Sequence, residues 1–273
     1  DFFIEEGGRL GEVYGYELDG FYTTDDFSWD GSKWVLNENL TDPTELIKYN
    51  NFGPGALKLK ADEDGKFTKK RLGNTVPTVT GGFGINMRYK NFDLSAFFNY
   101  SLGNKIVNAT KLGSGYYNDT KKGRNLNDNF TLAKRYSWID PTTGENMLKS
   151  SYIKSNGLDY TINHLNEVNA GASMYNPGSI TEMPLLDWAV EDGSFLRVNN
   201  ISIGYTLPKA FVNKIFMQNV RIYVTGYNLY CFTKYSGADP EVDTRRSTPM
   251  TPGVDYSAYP KSRSFVGGIN VTF

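Results

Sequence analysis

The chain has 273 residues, 39% hydrophobic and 15% aromatic, with 19 Tyr and 28 Gly. That is enough to bury one large β domain or two average ones, and the bias toward strand and turn formers favours an all-β fold. Twenty-nine basic residues against thirty acidic leave a net charge of −1, which gives no electrostatic footprint for nucleic acid. The single cysteine, Cys231, excludes an internal disulfide framework and any zinc site of paired cysteines, and it is expected at a strand end.

No run reaches the roughly 18 consecutive apolar residues of a membrane helix, and mean hydropathy is −0.46. A helical membrane protein is therefore excluded. A membrane β-barrel is not, because its strands show only every second residue to lipid and its loops are polar. Residues 1–10 (DFFIEEGGRL) lack a basic start and an apolar core, so no signal peptide is expected there. On that reading, either an amino-terminal part precedes this segment or the protein stays in the cytoplasm.

Residues 11–23 alternate loosely, with Tyr14, Tyr16 and Leu18 on one parity, and predict a first strand broken at Gly20. Residues 24–80 carry Asp25-Asp26, Asp42-Pro43, Gly53-Pro54-Gly55 and Asp64-Gly65. Turn signals at that density predict a long surface excursion rather than a packed element. Residues 82–101 then form the clearest hairpin. Phe83, Ile85, Met87 and Tyr89 alternate with Gly84, Asn86, Arg88 and Lys90; Phe92, Leu94, Ala96, Phe98 and Tyr100 alternate with Asp93, Ser95, Phe97 and Asn99. Each arm has about the 9–11 residues that a tilted strand needs to cross a bilayer, whereas strands of soluble sheets typically run ~5–6.

Residues 102–193 predict a second long polar excursion. Strand pattern resumes over 194–207, where Ile201, Ile203, Tyr205 and Leu207 oppose Asn200, Ser202, Gly204 and Thr206, and a change of parity points to a bulge near Val198. After Pro208, residues 209–217 suit a short amphipathic helical turn. Residues 219–230 give the next strand, 232–261 a third polar loop, and 262–273 (SRSFVGGINVTF) the last strand. There Phe265, Ile269, Val271 and Phe273 point one way while Gly268, Asn270 and Thr272 point the other. A strand so patterned up to its end is expected to be paired, as in a closed barrel; an ordinary sandwich strand is the other reading.

Six strands result, with connections alternately long and short. Consecutive antiparallel strands put alternate connections on opposite sides, so the long ones share one side. Short turns opposite long loops are the signature of outer-membrane barrels.

Ordered motifs across nearly the whole chain resemble the SusC/RagA family of TonB-dependent outer-membrane transporters. They are residues 53–60, 73–77, 89–101 and 103–108; Glu191-Asp192-Gly193-Ser194-Phe195-Leu196-Arg197; Gly204-Tyr205-Thr206-Leu207-Pro208; Gly226-Tyr227-Asn228-Leu229; Tyr235-Ser236-Gly237-Ala238-Asp239-Pro240-Glu241; Tyr259-Pro260; and residues 267–273. The resemblance implies a transmembrane antiparallel barrel of 22 strands with long extracellular loops, of which this chain supplies about the last six. It also implies an amino-terminal plug and strands that lie outside residues 1–273, a TonB complex reached through that missing region, and a SusD-like surface lipoprotein as lid. Oligosaccharides or peptides are the implied cargo, the outer membrane the implied location, and no cofactor is implied. Two departures stand out. Asp62-Glu63-Asp64-Gly65 lacks the alternate ligand spacing and distal Glu of a calcium loop, so no metal is expected. Val266 stands where the family's final strand normally has a polar residue, while Gly268, Val271 and Phe273 fit its closure and assembly signal.

Bond chemistry has little support. The sole histidine, His164, falls in a predicted loop without a recognisable nucleophile at catalytic spacing and is expected at the surface. Asp239-Pro240-Glu241 and Glu191-Asp192 could pose as glycosidase carboxylates, but they lie at loop–strand joints where Asp and Pro make turns. On the barrel wall, Asn86, Arg88, Asp93, Asn99, Arg221 and Tyr223 are expected to face the lumen, and Ile85, Phe98, Ile203, Ile222, Ile269 and Phe273 the lipid. The loop aromatics Trp29, Trp34, Tyr116, Tyr117, Trp138 and Trp188 either contact substrate or lid or fill loop cores. The rival to the transporter reading is a secreted soluble β-sandwich that binds glycans through exposed aromatics.

Overall fold

The alternation over residues 79–102 forms an antiparallel hairpin of strands β1 (Val79–Tyr89) and β2 (Phe92–Leu102), eleven residues each. Tyr89 pairs with Phe92, so the turn is Lys90-Asn91, and Lys90 takes φ +54°, the positive value that lets a two-residue turn match the strand twist. Asn91 ties this turn to the next strand: its Nδ2 donates to the Thr206 carbonyl and its own carbonyl accepts from Thr206 N, both at 2.8 Å. The structure, a computed structural model, describes residues 1–117, 125–241 and 250–273.

Three further strands, β3 (Phe195–Thr206), β4 (Asn219–Thr233) and β5 (Ser264–Thr272), complete one antiparallel sheet in the order β5-β4-β3-β2-β1. Their 12, 15 and 9 residues exceed the ~5–6 usual for globular strands. The expected bulge is present, as the register of β3 against both neighbours shifts between Val198 and Asn200. Pro208 ends β3 and a helical turn, Lys209–Val212, follows. Cys231 lies two residues from the end of β4. The turn at 90–91 and the connection 207–218 leave one end of the sheet; the connections 103–194 and 234–263 leave the other. Part of each long connection, 118–124 and 242–249, lies outside the described residues. In this sheet β1 and β5 are the edges.

The chain divides into two units: residues 2–12, 73–107 and 191–273, which hold this sheet, and Asp1 with 13–72 and 108–190. The second unit corrects two expectations. The strand expected over 11–23 does not join the large sheet, which has five strands rather than six. It breaks into Glu12–Gly15 and Leu18–Phe21, and the latter pairs with Leu57–Leu59. Its apolar residues serve a packed core instead, with Val13 and Tyr22 almost fully buried.

The excursions 24–80 and 102–193 are likewise packed, not loose surface. Their aromatic and aliphatic residues, unperiodic in sequence, gather into two clusters. One joins Tyr22, Phe27, Trp34, Tyr136, Trp138, Met147, Tyr152, Ile153 and Leu165; the other joins Ile47, Leu57, Leu59, Phe130, Tyr175, Ile180 and Leu186. Helices α1 (Ser150–Asn156) and α2 (Leu158–Val168) supply part of the first. Burying a large apolar side chain contributes ~1.5–3 kcal/mol, so these residues outweigh the turn signals around them. The Gly53-Pro54-Gly55 motif has a packing reason here. Gly55 holds φ +83°, and any Cβ on it would collide with the Tyr136 ring, while Trp138 Nε1 donates to the Pro54 carbonyl at 2.7 Å.

Candidate functional site: the polar face of the sheet

Directly paired residues in a sheet share a face, so the register sorts the side chains. One row across the five strands reads Met87, Leu94, Ile203, Val224, Gly267, and its neighbours on the same face include Ile85, Phe98, Tyr205, Ile222, Ile269 and Val271. The opposite face carries the row Arg88, Asp93, Gly204, Tyr223, Gly268, and beside it Asn86, Ser95, Ser202, Thr225, Val266. All six residues expected at the lumen therefore lie on one face, and five of the six expected at lipid lie on the other. Phe273 follows β5 beyond the paired register and is exposed. Val266 sits on the polar face.

The polar face is built around an ion pair that crosses a strand. Arg221 on β4 grips Asp93 on β2 with two hydrogen bonds, Nε to Oδ1 at 2.9 Å and Nη2 to Oδ2, a bidentate geometry that is the stronger kind of carboxylate contact. The strand between them is β3, and the residue beneath the pair is Gly204, where any Cβ would clash with both the guanidinium and the carboxylate. The Arg221 guanidinium also lies 5.1 Å from the Tyr223 ring centroid, within cation–π range. Gly268 on β5 repeats the arrangement: a Cβ there would strike the Tyr223 ring. Two glycines thus let Asp93, Arg221 and Tyr223 lie flat across four strands. Thr225 Oγ1 donates to Ser202 Oγ at 2.8 Å in the next row. Sequence reasoning placed Gly268 in an assembly signal and missed its seat for Tyr223; the residue pattern alone carries no cross-strand register.

Nearer the other end of β3, Arg197 is 4% exposed, facing Asn99 and Cys231 across the ladder. Asp239 holds it at 2.5 Å and Glu241 at 3.0 Å, and Lys261 joins Glu241. Glu191 accepts from Ser236 N and Oγ. Of the carboxylates weighed as glycosidase groups, Asp239, Glu241 and Glu191 are thereby engaged in fixing the segment after β4, and Asp192 accepts from Ser194 N at 3.0 Å. In the same segment Tyr235 Oη donates to Asp255 at 2.6 Å, and burial together with that carboxylate pushes the phenol above its usual range.

The six aromatics proposed for substrate or lid belong to the other unit. Trp34 and Trp138 are core residues, 8% and 6% exposed, and Trp29 stacks edge-on against Trp34 at 5.5 Å. Tyr116 and Trp188 pack on the second cluster, with Lys111 Nζ 5.0 Å above the Trp188 ring. Only Tyr117 among them presents a largely open ring, 46% exposed. His164 is not the surface residue expected: its side chain is 18% exposed, its Nε2 is 3.4 Å from Asp140 and its ring stacks on Tyr160. Asp140 itself is held well below the usual carboxylate range by the Tyr152 hydroxyl at 2.7 Å and Thr142 N at 2.8 Å, against the opposing effect of burial. Burial and that same carboxylate raise Tyr152 to about 12. The Asp62 carboxylate accepts from the backbone of its own turn, Asp64 N and Lys66 N.

No protein-family model matches the chain. It is 31% identical over 279 residues to TonB-dependent receptor P3 of Formosa agariphila, a match covering 99% of this chain and 23% of the relative. To TonB-dependent receptor SusC of Bacteroides thetaiotaomicron it is 24% identical over 284 residues, covering 100% of this chain and 22% of that one. In fold it is similar to the solved RagAB peptide transporter, with a TM-score of 0.54 and 20% identity over 97% of this chain and 23% of that one. The long-stranded antiparallel sheet and these relatives define a segment of a TonB-dependent receptor. The chain belongs to the SusC/RagA-type family of TonB-dependent transporters, and it spans about a quarter of the length of the relatives it matches.

Proposed function

We propose that this segment forms wall and external loops of an outer-membrane importer, with the Asp93–Arg221 face toward the lumen and the Ile203 face toward lipid. The observation that carries this reading is the exposed apolar face. Phe83, Ile85, Met87, Ile203, Ile222, Val224, Phe265 and Ile269 are between 44% and 71% exposed, on strands of 9–15 residues. In water a contiguous apolar surface of that extent would drive association; in a bilayer it is the lipid contact of a barrel, and about 9–11 tilted residues span the core. Edge strands β1 and β5 await neighbours, which the remaining barrel strands supply. Short connections at one end of the sheet and long ones at the other support a reading in which the long ones face outside the cell.

The transporter works by gated passage rather than bond chemistry. Its plug and its contact with the TonB complex belong to parts beyond this chain, and its external loops meet a SusD-like surface lipoprotein. Cargo is an oligosaccharide or peptide nutrient; the peptide transporter named among the structural neighbours supports the peptide arm of this reading. Charge scanning of the full-length protein tests the orientation. Ile203→Arg costs ~2–4 kcal/mol near the bilayer midplane and lowers the heat-modifiable outer-membrane form, while Ser202→Arg, its neighbour on the opposite face, assembles normally. The reverse result overturns the assignment of faces.

A further inference from the structure

We infer that the aromatic unit carries a binding cleft for a carboxylate-bearing solute, with Arg135 as its anchor. A cavity of about 500 Å³ is lined by Tyr117, Arg135, Ile139, Asn51, Asn146 and Asn176 among others, all within this unit. Two of its amides are oriented as donors. Asn146 and Asn176 accept backbone N–H groups on their Oδ1 atoms, from Leu148 at 2.9 Å and Gly178 at 2.8 Å. Their Nδ2 groups have no partner among the described residues and remain as donors. Arg135 is half-buried and makes no ion pair among the described residues, whereas Arg197 and Arg221, the other described arginines that are buried or half-buried, pair with carboxylates. Among the described residues, no Asp or Glu lines the cavity.

A cleft whose described lining holds an unpaired guanidinium and free amide donors and no carboxylate is complementary to an anion with several acceptor oxygens. The open ring of Tyr117 and the exposed Ile139, 46% and 48% accessible, add an apolar surface against which the body of the solute packs. The matching chemistry is a carboxylate on a polar, ring- or backbone-sized scaffold, as in a uronate-containing oligosaccharide or a peptide with a free acid. This deepens the import reading, since it names a feature of the cargo, and it rests on that reading.

The test uses the full-length transporter in detergent and two matched pairs of probes: trigalacturonic acid against its methyl ester, and acetyl-trialanine against its carboxamide. Calorimetry is expected to show the acid of at least one pair binding about tenfold or more tighter than its neutral form, the scale of one charge-assisted contact. The pair that responds identifies the source of the carboxylate. Arg135→Gln is expected to abolish the difference while leaving the neutral affinity unchanged, and Arg135→Lys to restore part of it. Equal binding of acid and neutral forms in both pairs, no binding of any probe, or an acid preference that survives Arg135→Gln overturns the cleft. Failure of the import reading is separately visible as absence of the protein from the outer-membrane fraction, which does not enter the binding comparison.

Discussion

The two units use aromatic and aliphatic residues in opposite ways. In the sheet, Phe83, Ile85, Ile203, Ile269 and Phe265 repeat with period two and stand open to the surroundings. In the other unit Trp34, Trp138, Tyr175 and Leu165 have no period and are buried. The difference teaches where each unit keeps its apolar surface. A packed cluster satisfies its apolar side chains internally, as a protein in water must. The sheet leaves them unsatisfied on one face and concentrates its polar bonding on the other, the pattern that the proposed wall between lipid and an aqueous lumen requires.

Core truncation breaks the contrast most severely. Trp138→Ala removes a buried indole and leaves the Pro54 carbonyl without its donor, so the aromatic unit is expected to lose ~3–5 kcal/mol, seen as a lower thermal midpoint with outer-membrane assembly of the sheet unchanged. A midpoint within a degree of wild type would mean that this cluster is no core. On the sheet, Gly204→Leu forces a side chain under the Asp93–Arg221 pair and is expected to cost ~1–3 kcal/mol, read as a lower urea midpoint of the barrel refolded in vesicles. Ala at Ser202, whose hydroxyl makes one cross-strand bond, serves as the milder control.

Acid sharpens the comparison without any substitution. Because the Asp140 carboxyl titrates lower in the folded protein than in the unfolded chain, its stabilising contribution is complete above the usual carboxylate value of about 4 and is lost as pH falls below it. The aromatic unit is thus expected to weaken on acidification below about pH 4, and Asp140→Asn to flatten that dependence. An unchanged acid limb in the variant would show that the Tyr152–Asp140 bond is not what acid breaks. The smallest effect belongs to Lys48–Glu182, an ion pair whose side chains are 77% and 70% exposed: Lys48→Ala is expected to shift stability by only ~0–1 kcal/mol, and a larger loss would indicate a contact beyond that pair.

Much of the sheet was legible because period two is a local property. Alternation placed the β1–β2 hairpin, the parity change at Val198 and the polar set Asn86, Arg88, Asp93, Asn99, Arg221 and Tyr223 on a single face, with no knowledge of which strands would pair. The aromatic unit was not legible. Tyr22, Trp34, Trp138 and Tyr175 are separated by turn-rich stretches, and their association depends on contacts between residues more than a hundred positions apart, such as Tyr22 and Tyr136 in one cluster. Turn signals report where a chain bends and are silent on whether the bends enclose a core. For the same reason Trp34 and Trp138 could be read as surface platforms or, by a slight margin, as core, and only burial separated them.

By itself, then, the sequence determined the strand segments, their two faces, the alternation of short and long connections and the resemblance to a transporter family. These follow from side-chain direction along an extended backbone, which needs no partner to be defined. Tertiary structure alone decided that residues 11–23 leave the sheet, that Gly204 and Gly268 are seats for Arg221 and Tyr223, that Asp239 and Glu241 are committed to Arg197, and that Arg135, without an ion pair among the described residues, lines a polar cleft. Each of those depends on register or on proximity between distant segments, and that information exists only once the chain has closed on itself.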